Sequence, residues 1–210
     1  MSLFVIDLFA GAGGLTEGFL QAGFTSVCAN DFDEQAKMTF TFNHPSVPYL
    51  QKDIAEIEPK EILNIGEISS NEVSVITGGP PCQGFSLAGQ RLSDDPRNQL
   101  FKEYIRITKA IKPKVVFFEN VPGILSANNG HYLQLIFDAV RDAGYELDKK
   151  VLNAKDFGVL QDRKRVIIIG WKIDLEIGYP EFDKSEMEYE IAKHLFADLP
   201  KIKSGQGNWG

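Results

Sequence analysis

The residues with the clearest chemical potential lie in the segment 78–86, where Cys82 follows two glycines and two prolines. Pro80 and Pro81 fix their own φ angles, so the cysteine after them is held on a rigid turn. The apolar run before them, 73–77, predicts a short buried strand that ends at this turn. A thiol placed there can act as a nucleophile. Taken alone, the segment also fits a buried structural cysteine, a common role for free cysteine.

Four other strand ends carry glycine or acidic residues of the kind that bind ligands. Gly11, Asp31, Asp53 and Glu119 each follow an apolar run that predicts a strand. In a parallel sheet the carboxyl ends of the strands share one edge, and open α/β sheets bind their ligands there. We therefore expect these four positions and Cys82 to converge on one site.

The first of these ends is a glycine turn, 10–14, between the predicted strand 3–9 and a helical pattern over 15–20. Strand, glycine turn and helix form the first unit of a doubly wound nucleotide-binding sheet. Gly11 and Gly13 fit the dinucleotide pattern G-x-G-x-x-G, but Thr16 occupies the place of its third glycine. The turn alone is also compatible with an ordinary tight connection.

Asp31 and Phe32 follow the second predicted strand, 24–29. An acid at this position of a nucleotide-binding sheet holds a ribose hydroxyl, and the phenylalanine beside it is placed to lie against an adenine ring. Asp31 or Asp33 is alternatively the N-cap of the helix that begins near Glu34. The two roles are compatible if different acids take them.

Glu119 ends the fifth predicted strand, 114–118, directly after Phe117 and Phe118. It is either a salt-bridged strand end or a half-buried carboxyl that keeps its proton, which the two aromatic neighbours favour. A protonated glutamate beside a thiol suits nucleophilic attack on a heterocycle that must gain a proton.

The remaining patterns complete an α/β fold with a mostly parallel sheet. A third strand is predicted over 49–54, helices over 99–111 and 131–143, and a final antiparallel pair over 145–154 and 165–171. Residues 59–71 form a connector of weak helical character. Residues 87–98 are polar and predict a mobile loop, and 186–195 has a weak helical pattern.

Composition narrows the class of protein. The chain has 210 residues, a formal net charge of -7 and two cysteines. This charge does not suit a self-sufficient nucleic-acid binder, so such contacts require local patches or another segment. No metal-ligand spacing, disulfide framework, signal peptide or membrane-length apolar run occurs in the sequence, which predicts a cytoplasmic protein without a metal. Cys28 lies in a strand-like run and is predicted to pack in the core.

Four segments in this order resemble the motifs of the C5-cytosine DNA methyltransferase family. Asp7 to Gly14 resembles its cofactor motif, and Gly79 to Ser86 resembles its nucleophile motif. Glu119-Asn120-Val121 is similar to its Glu-Asn-Val motif, and Gln161-Asp162-Arg163-Lys164-Arg165 to its Gln-x-Arg-x-Arg motif. The resemblance extends from Val5 to about Lys172. It implies a Rossmann-like S-adenosylmethionine-dependent methyltransferase fold with an antiparallel edge pair and helices on both faces.

The resemblance also implies a cofactor pocket for S-adenosylmethionine, with S-adenosylhomocysteine as the product. Asp31 would bind the ribose hydroxyls, Phe32 the adenine face, and Asp53 with Ile54 the adenine amino edge. The whole implied cofactor set is Phe9, Ala10, Gly11, Gly13, Gly14, Leu15, Asp31, Phe32, Asp53, Ile54, Pro80 and Leu100.

The implied catalytic set is Cys82, Glu119, Arg163 and Arg165. Cys82 would attack C6 of a flipped cytosine, Glu119 would bond its N3 and amino edge, and the two arginines would hold the base and the adjoining phosphate. A free thiol is only about 3% ionised at neutral pH, and nearby arginines would raise that fraction. Pro81, Gln83, Ser86, Asn120 and Val121 are the implied substrate contacts.

The resemblance further implies double-stranded DNA as the partner and a bacterial restriction-modification role. We predict a cofactor-binding and catalytic domain over 1–174 and a tail over 175–210 that leads toward a target-recognition region. That region would be supplied by a C-terminal segment or a second subunit. Three alternatives stay open here: a tRNA cytosine-5 methyltransferase, a silent regulatory relative, which the presence of Cys82 and Glu119 disfavours, and, more distantly, a nicotinamide oxidoreductase.

Overall fold

The computed structural model describes residues 2–81, 96–184 and 197, with the backbone alone for 96–99 and 128. In these ranges the chain forms a seven-stranded sheet with five α-helices. The strands are β1 (Phe4–Leu8), β2 (Thr25–Asp31), β3 (Tyr49–Gln51), β4 (Val73–Gly78), β5 (Val115–Asn120), β6 (Tyr145–Asn153) and β7 (Lys164–Lys172). The helices are α1 (Gly14–Gln21), α2 (Glu34–Asn43), α3 (Pro59–Ile65), α4 (Pro96–Ile111) and α5 (His131–Arg141).

The sheet is mostly parallel and ends in an antiparallel pair, as predicted. Its strand order is β3-β2-β1-β4-β5-β7-β6. The first five strands of that order pair in parallel, and β7 runs antiparallel to both β5 and β6. The central strands are apolar because both of their faces are covered, and every residue of β4 is buried.

Helices cover both faces of the sheet, as the strand register and the contacts between strands and helices show. A Cβ added to Gly170 on β7 would lie 3.2 Å from Val140 of α5, so this face of β7 lies under α5. Gly170 pairs with Val116 of β5, so the next residue, Phe117, lies on the opposite face of the sheet. Its ring packs edge-on against Phe19 of α1 with centroids 5.5 Å apart. Adjacent residues of a strand point to opposite faces, so α1 and α5 lie on opposite sides.

The main core forms between the sheet and the helices on its faces. Its largest fully buried side chains include Ile6, Leu8, Ile76, Ile107, Ile111, Ile168 and Tyr104. Tyr104 of α4 donates its hydroxyl proton to the Ile76 carbonyl at 2.7 Å, which satisfies a buried phenol and fixes α4 against β4. Cys28 is fully buried, as predicted, and burial raises the pKa of its thiol to about 12.

Several element boundaries differ from the predicted ones. β2 and β5 continue for two residues beyond their apolar runs, so Asp31 and Glu119 lie inside strands rather than after them. Ladder hydrogen bonds to β3 and β7 support these polar residues, which hydropathy alone cannot indicate. Helix α4 begins at Pro96, three residues earlier than predicted, because proline is well suited to a first helical turn. The rest of the predicted loop, 87–95, and the predicted helix 186–195 lie outside the described residues.

Beyond β7 the chain turns back along the sheet. Glu176 adopts a left-handed conformation with φ 50°, and Tyr179 donates its hydroxyl proton to the Ile167 carbonyl at 2.8 Å. Lys150 of β6 donates to the Pro180 carbonyl at 3.3 Å, and Lys184 forms an ion pair with Asp156 at 3.0 Å. Residues 176–184 therefore pack on the β6–β7 pair.

In the ranges 2–81 and 96–184, no helix combines the length and apolar character that crossing a membrane requires.

Candidate active site

The carboxyl ends of the five parallel strands lie side by side, as the sequence predicted. Gln51 of β3 pairs with Asp31, and Asn30 pairs with Leu8 of β1. Leu8 pairs in turn with Gly78 of β4, which pairs with Phe118 of β5. Because β7 is antiparallel, its first residues reach the same edge. One edge thus carries the glycine turn, Asp31, the start of the Cys82 segment, Glu119 and the arginines.

The glycine turn has a backbone shape that its sequence requires. Phe9, Gly11 and Gly13 have φ of 60°, 53° and 96°, all in the left-handed region. A Cβ on Gly13 would lie 2.6 Å from the His44 ring, so only glycine fits there. A Cβ on Gly11 would meet no atom of the described residues within 4 Å, so nothing in the described part of the chain fills this side of the turn. The non-glycine Phe9 in this conformation is strained, as residues at functional sites often are.

Asp7 and Thr16 connect the end of β1 to the first turn of α1, a link that sequence reasoning missed. Both are fully buried, and Thr16 donates its hydroxyl proton to Asp7 Oδ2 at 2.6 Å. The other oxygen, Oδ1, has no hydrogen-bond partner among the described residues. Burial raises the pKa of Asp7 to about 7, although the bonds from Thr16 favour the ionised form. Thr16, which breaks the dinucleotide pattern, thus has a structural role of its own.

We expect the free energy of unfolding of the native protein to fall between about pH 4 and pH 7, and Asp7→Asn should remove this fall. The unfolded pKa of aspartate is about 3.9, so the folded protein holds this proton more tightly. The stabilisation is complete below pH 4 and disappears as pH rises through 7, a change of at most about 4 kcal/mol. Urea denaturation of both proteins at pH 5 and pH 8 measures it. Equal pH dependence in the two proteins would contradict the buried, titrating Asp7.

Asp31 organises the glycine turn from the neighbouring strand. Its Oδ2 accepts the Gly11 amide at 3.0 Å, and its Oδ1 accepts the Asp33 amide at 3.1 Å. Asp33 is the N-cap of α2 and accepts the Ala36 amide at 2.7 Å. The capping role therefore lies on Asp33, and the Asp31 carboxylate is directed to the glycine turn. The Phe32 ring beside them is 71% exposed, so its face is available to a ligand.

Asp53 and Ile54 lie on a single 3-10 turn after β3. Asp53 is the N-cap of the turn and accepts the Ala55 amide at 2.9 Å, while Ile54 is buried. The buried Asn30 donates its amide protons to the carbonyls of Leu50 and Lys52, both at 2.9 Å. The segment that leads into Asp53 is therefore fixed to β2.

Cys82, Gln83 and Ser86 lie outside the described residues, but the turn that leads to the cysteine is described as far as Pro81. A Cβ on Gly78 would lie 2.5 Å from the Leu8 carbonyl oxygen, and one on Gly79 would lie 3.4 Å from Glu119 Oε2. Asn120 donates its amide to the Pro80 carbonyl at 2.9 Å and accepts the Val121 amide at 2.9 Å. The side chain predicted to bind substrate thus holds the proline turn against β5.

Glu119 forms a close ion pair, as expected from the first of its two sequence interpretations, a salt-bridged strand end. Its Oε1 lies 2.5 Å from Nε of Arg165, and the side chains are 27% and 22% exposed. Arg165 also donates through Nη1 to the Lys164 carbonyl at 2.8 Å. Half-buried, charge-assisted pairs of this kind fix both side chains. A carboxylate and a guanidinium are therefore held together beside the turn that leads to Cys82.

Arg163 is positioned by Asn153, a residue that the sequence patterns did not single out. Asn153 is buried at the end of β6, and its Oδ1 accepts the Arg163 amide at 3.1 Å. Its Nδ2 donates to Asp162 Oδ1 at 2.8 Å. The Arg163 side chain is exposed at the same sheet edge as Arg165.

The other predicted contact residues are distributed along this edge and around it. Ala10 and Pro80 are buried, Leu15, Leu100 and Pro81 are half-buried, and Gly14 and Val121 are exposed. Among the described residues, no group of three or more His, Cys, Asp or Glu side chains is arranged to hold a metal ion.

Comparison with known proteins gives consistent matches. Residues 3–209 match the family described as C-5 cytosine-specific DNA methylase. The chain is 40% identical to the type II methyltransferase M.DdeI of Desulfomicrobium norvegicum over 97% of its length and 50% of that protein. It is 39% identical to M1.HphI of Haemophilus parahaemolyticus over 99% of its length and 56% of that protein. The chain thus spans about half the length of these curated relatives.

A solved structure shares the fold at appreciable sequence identity. It is an E. coli prophage protein described as a DNA modification methyltransferase, 32% identical, with a TM-score of 0.81 over 96% of this chain and 56% of that one. Spodoptera frugiperda DNMT2 is 24% identical, with a TM-score of 0.69 over 87% of this chain and 54% of that one, and supports the fold alone. The match over residues 3–209, together with the strand order and the sheet edge, shows that the chain belongs to the C-5 cytosine-specific DNA methylase family.

Proposed function

We propose that this chain supplies the cofactor pocket and the nucleophile of an enzyme that methylates C5 of cytosine in DNA. The methyl donor is S-adenosylmethionine, and the reaction passes through a covalent bond between Cys82 and C6 of a base rotated out of the duplex. The observation that carries the proposal is the sheet edge: the glycine turn and Asp31 lie at one end, and the Glu119–Arg165 pair lies beside Gly79 at the other.

The glycine-turn end of this edge fits S-adenosylmethionine. No described residue fills the space at Gly11, the Asp31 carboxylate lies beside it, and the exposed Phe32 ring offers a flat apolar face. In the proposal Asp31 binds the ribose hydroxyls, Phe32 covers the adenine, and Asp53 with Ile54 meets its amino edge. Bound S-adenosylmethionine supplies an electrophilic methyl group on a sulfonium.

The other end of the edge carries out the chemistry on the base. The target atom is inaccessible inside a stacked duplex, so the cytosine must be extruded at a cost of a few kcal/mol. The Cys82 thiolate forms a bond to C6, which moves electron density to C5. Glu119 bonds the N3 and amino edge; its carboxylate takes up a proton from water and passes it to N3 as the ring gains electrons. After C5 is methylated it loses its proton to water, N3 returns its proton to Glu119, and the Cys82–C6 bond breaks so that the thiolate leaves and the ring is restored.

Arg165 and Asn120 have supporting roles in this scheme. Arg165 holds the Glu119 carboxylate, and Asn120 holds the carbonyl of Pro80, two residues before the nucleophile. Arg163 is exposed at the same edge, where it can bind the phosphate next to the extruded base. Positioning of this kind matters because small displacements of reacting groups cost large factors in rate.

The proposed substrate is double-stranded DNA, and the proposed setting is a bacterial restriction-modification system. The relatives named type II methyltransferases support both. A net charge of -7 opposes unaided association with a polyanion. Bases are read by side chains in a groove, so a target-recognition segment, in the same chain or in a second subunit, is part of the proposal.

Asp31→Ala is expected to weaken binding of S-adenosylmethionine by ten- to a hundredfold. A bond from a charged group contributes roughly 1.5–3 kcal/mol, and the variant also releases the Gly11 amide. Titration calorimetry measures the affinity. Asp33→Ala is the matched control, since it removes the helix cap next to Asp31. We expect it to lower the free energy of unfolding and to change the affinity for S-adenosylmethionine less than Asp31→Ala does. Equal affinities of native protein and Asp31→Ala would exclude the ribose role.

Trapping on a fluorinated base tests the proposed reaction directly. Fluorine at C5 cannot leave as a proton does, so the Cys82–C6 bond persists after methyl transfer. The native protein, together with its recognition segment, is incubated with S-adenosylmethionine and a pool of 5-fluorocytosine duplexes. We expect a denaturant-stable complex whose modified peptide contains Cys82. An adduct with fluorinated RNA alone would favour an RNA substrate, and no adduct with either would contradict the covalent mechanism.

A further inference from the structure

Arg106 of α4 binds the turn that carries Asp53 and Ile54. Its Nη2 donates to the carbonyl of Ile54 at 3.0 Å and to that of Ile57 at 2.8 Å. Its Nε lies 2.5 Å from Glu103 Oε2, one helical turn earlier. One guanidinium therefore joins α4 to both ends of the 3-10 turn Ile54–Glu56. The two carbonyls belong to residues far from Arg106 in sequence, so the contact is tertiary rather than local.

The turn is held from several sides, and Arg106 supplies the contact from the helical layer. Asn30 binds the carbonyls of Leu50 and Lys52, just before Asp53. Lys52 itself forms an ion pair with Glu61 of α3 at 2.8 Å. After Asp53 the main-chain carbonyls at 54 and 57 are bound by Arg106. Loss of Arg106 leaves the entry to the turn fixed and releases the carbonyls of Ile54 and Ile57 from α4.

Helix α4 is a rigid base for this contact. The Tyr104 hydroxyl donates to the Ile76 carbonyl of β4, and the Phe101 ring packs on Phe118 of β5. The Glu103–Arg106 pair is half-buried but contributes little by itself, since ion pairs at this spacing within one helix add only weakly to stability. Arginine, however, binds the carboxylate through Nε and the two carbonyls through Nη2, and the single ammonium nitrogen of a lysine cannot reproduce that spacing. The contacts of Arg106 are therefore better explained by the turn that they fix, Ile54–Glu56, than by the ion pair with Glu103.

We propose that Arg106 is a positioning residue that sets the placement of Asp53 and Ile54 against the amino edge of the cofactor adenine. The inference rests on the proposed function, because the adenine position comes from it. The same helix packs on β4 and β5, the two strands that lead to Cys82 and carry Glu119. Arg106 therefore relates the adenine end of the pocket to the strands of the reaction site.

Binding of two product analogues to Arg106→Lys tests the inference. S-adenosylhomocysteine carries the adenine amino group, and S-inosylhomocysteine has an oxygen in its place. For Arg106→Lys we expect affinity for the adenine compound to fall about tenfold, equal to about 1.4 kcal/mol, and affinity for the inosine compound to change less than about twofold. Arg141→Lys, the same change in an exposed ion pair of α5, is the control and should leave both affinities unchanged.

A second measurement separates positioning from a general loss of stability. Hydrogen exchange of the amides at 53–57 should quicken in Arg106→Lys, while the amides of β1 and α1 keep their native rates. An equal loss of affinity for both compounds, or adenine selectivity equal to that of the native protein, would overturn the inference alone. A native protein that binds neither compound would overturn the proposed function and this inference with it.

Discussion

Replacing Cys82 with serine is expected to lower methyl transfer by on the order of a thousandfold or more, as loss of a covalent nucleophile does. The serine hydroxyl is essentially un-ionised at pH 7, whereas about 3% of an ordinary thiol is thiolate. Binding of S-adenosylmethionine should be largely retained, because the glycine turn follows β1 and Asp31 ends β2, both outside the Cys82 segment. Transfer of a labelled methyl group to DNA measures the first quantity, and titration calorimetry measures the second.

Cys28→Ser is the matched control for this experiment, because it makes the same chemical change at the other cysteine. Cys28 is fully buried in β2, so a hydroxyl there lowers stability, and we expect methyl transfer to persist below the melting temperature. The raised pKa of the Cys28 thiol, about 12, keeps it un-ionised at neutral pH. Substantial turnover by Cys82→Ser, or loss of turnover in a folded Cys28→Ser, would refute the assignment of the nucleophile.

The sequence predicts the arrangement of the strand ends well, and the reason is physical. Buried parallel strands are continuous apolar runs, and the glycines, prolines and acids that end them stand out against that background. Gly11, Asp31 and Gly79 are therefore visible in the sequence, and the parallel register then brings their strand ends to one edge. The strand limits were less accurate, because ladder hydrogen bonds carry β2 and β5 beyond their apolar runs.

The contacts that hold the site could not be predicted in the same way, because they join distant parts of the chain. Arg106 binds carbonyls about fifty residues earlier, and Asn120 binds the Pro80 carbonyl forty residues before it. Every residue has a main-chain carbonyl, so no sequence pattern shows which of these carbonyls accepts a hydrogen bond from a distant side chain. Thr16 was a visible departure from the dinucleotide pattern, but its bond to Asp7 depends on how α1 packs on β1. The Glu119–Arg165 pair follows from the antiparallel register of β5 and β7.

Glu119→Gln is expected to lower the rate of methyl transfer by about a hundred- to ten-thousandfold, the usual contribution of a positioned acid or base. Glutamine keeps the shape of the side chain and can accept a hydrogen bond from Arg165, but it cannot give a proton to N3. Glu146→Gln, on the exposed face of β6, is the control and should leave the rate unchanged. Single-turnover methylation measured with saturating S-adenosylmethionine reports the chemical step.

Arg165→Lys tests whether the ion pair itself matters. Lysine keeps the positive charge but loses the fixed direction of the Nε bond to Glu119 Oε1, which is 2.5 Å long. We expect a fall of about tenfold, the effect of roughly 1.4 kcal/mol, and almost no further fall when Glu119→Gln is added, since residues that act as a unit are not additive. Independent, multiplicative effects of the two changes would show that Arg165 does not act through Glu119.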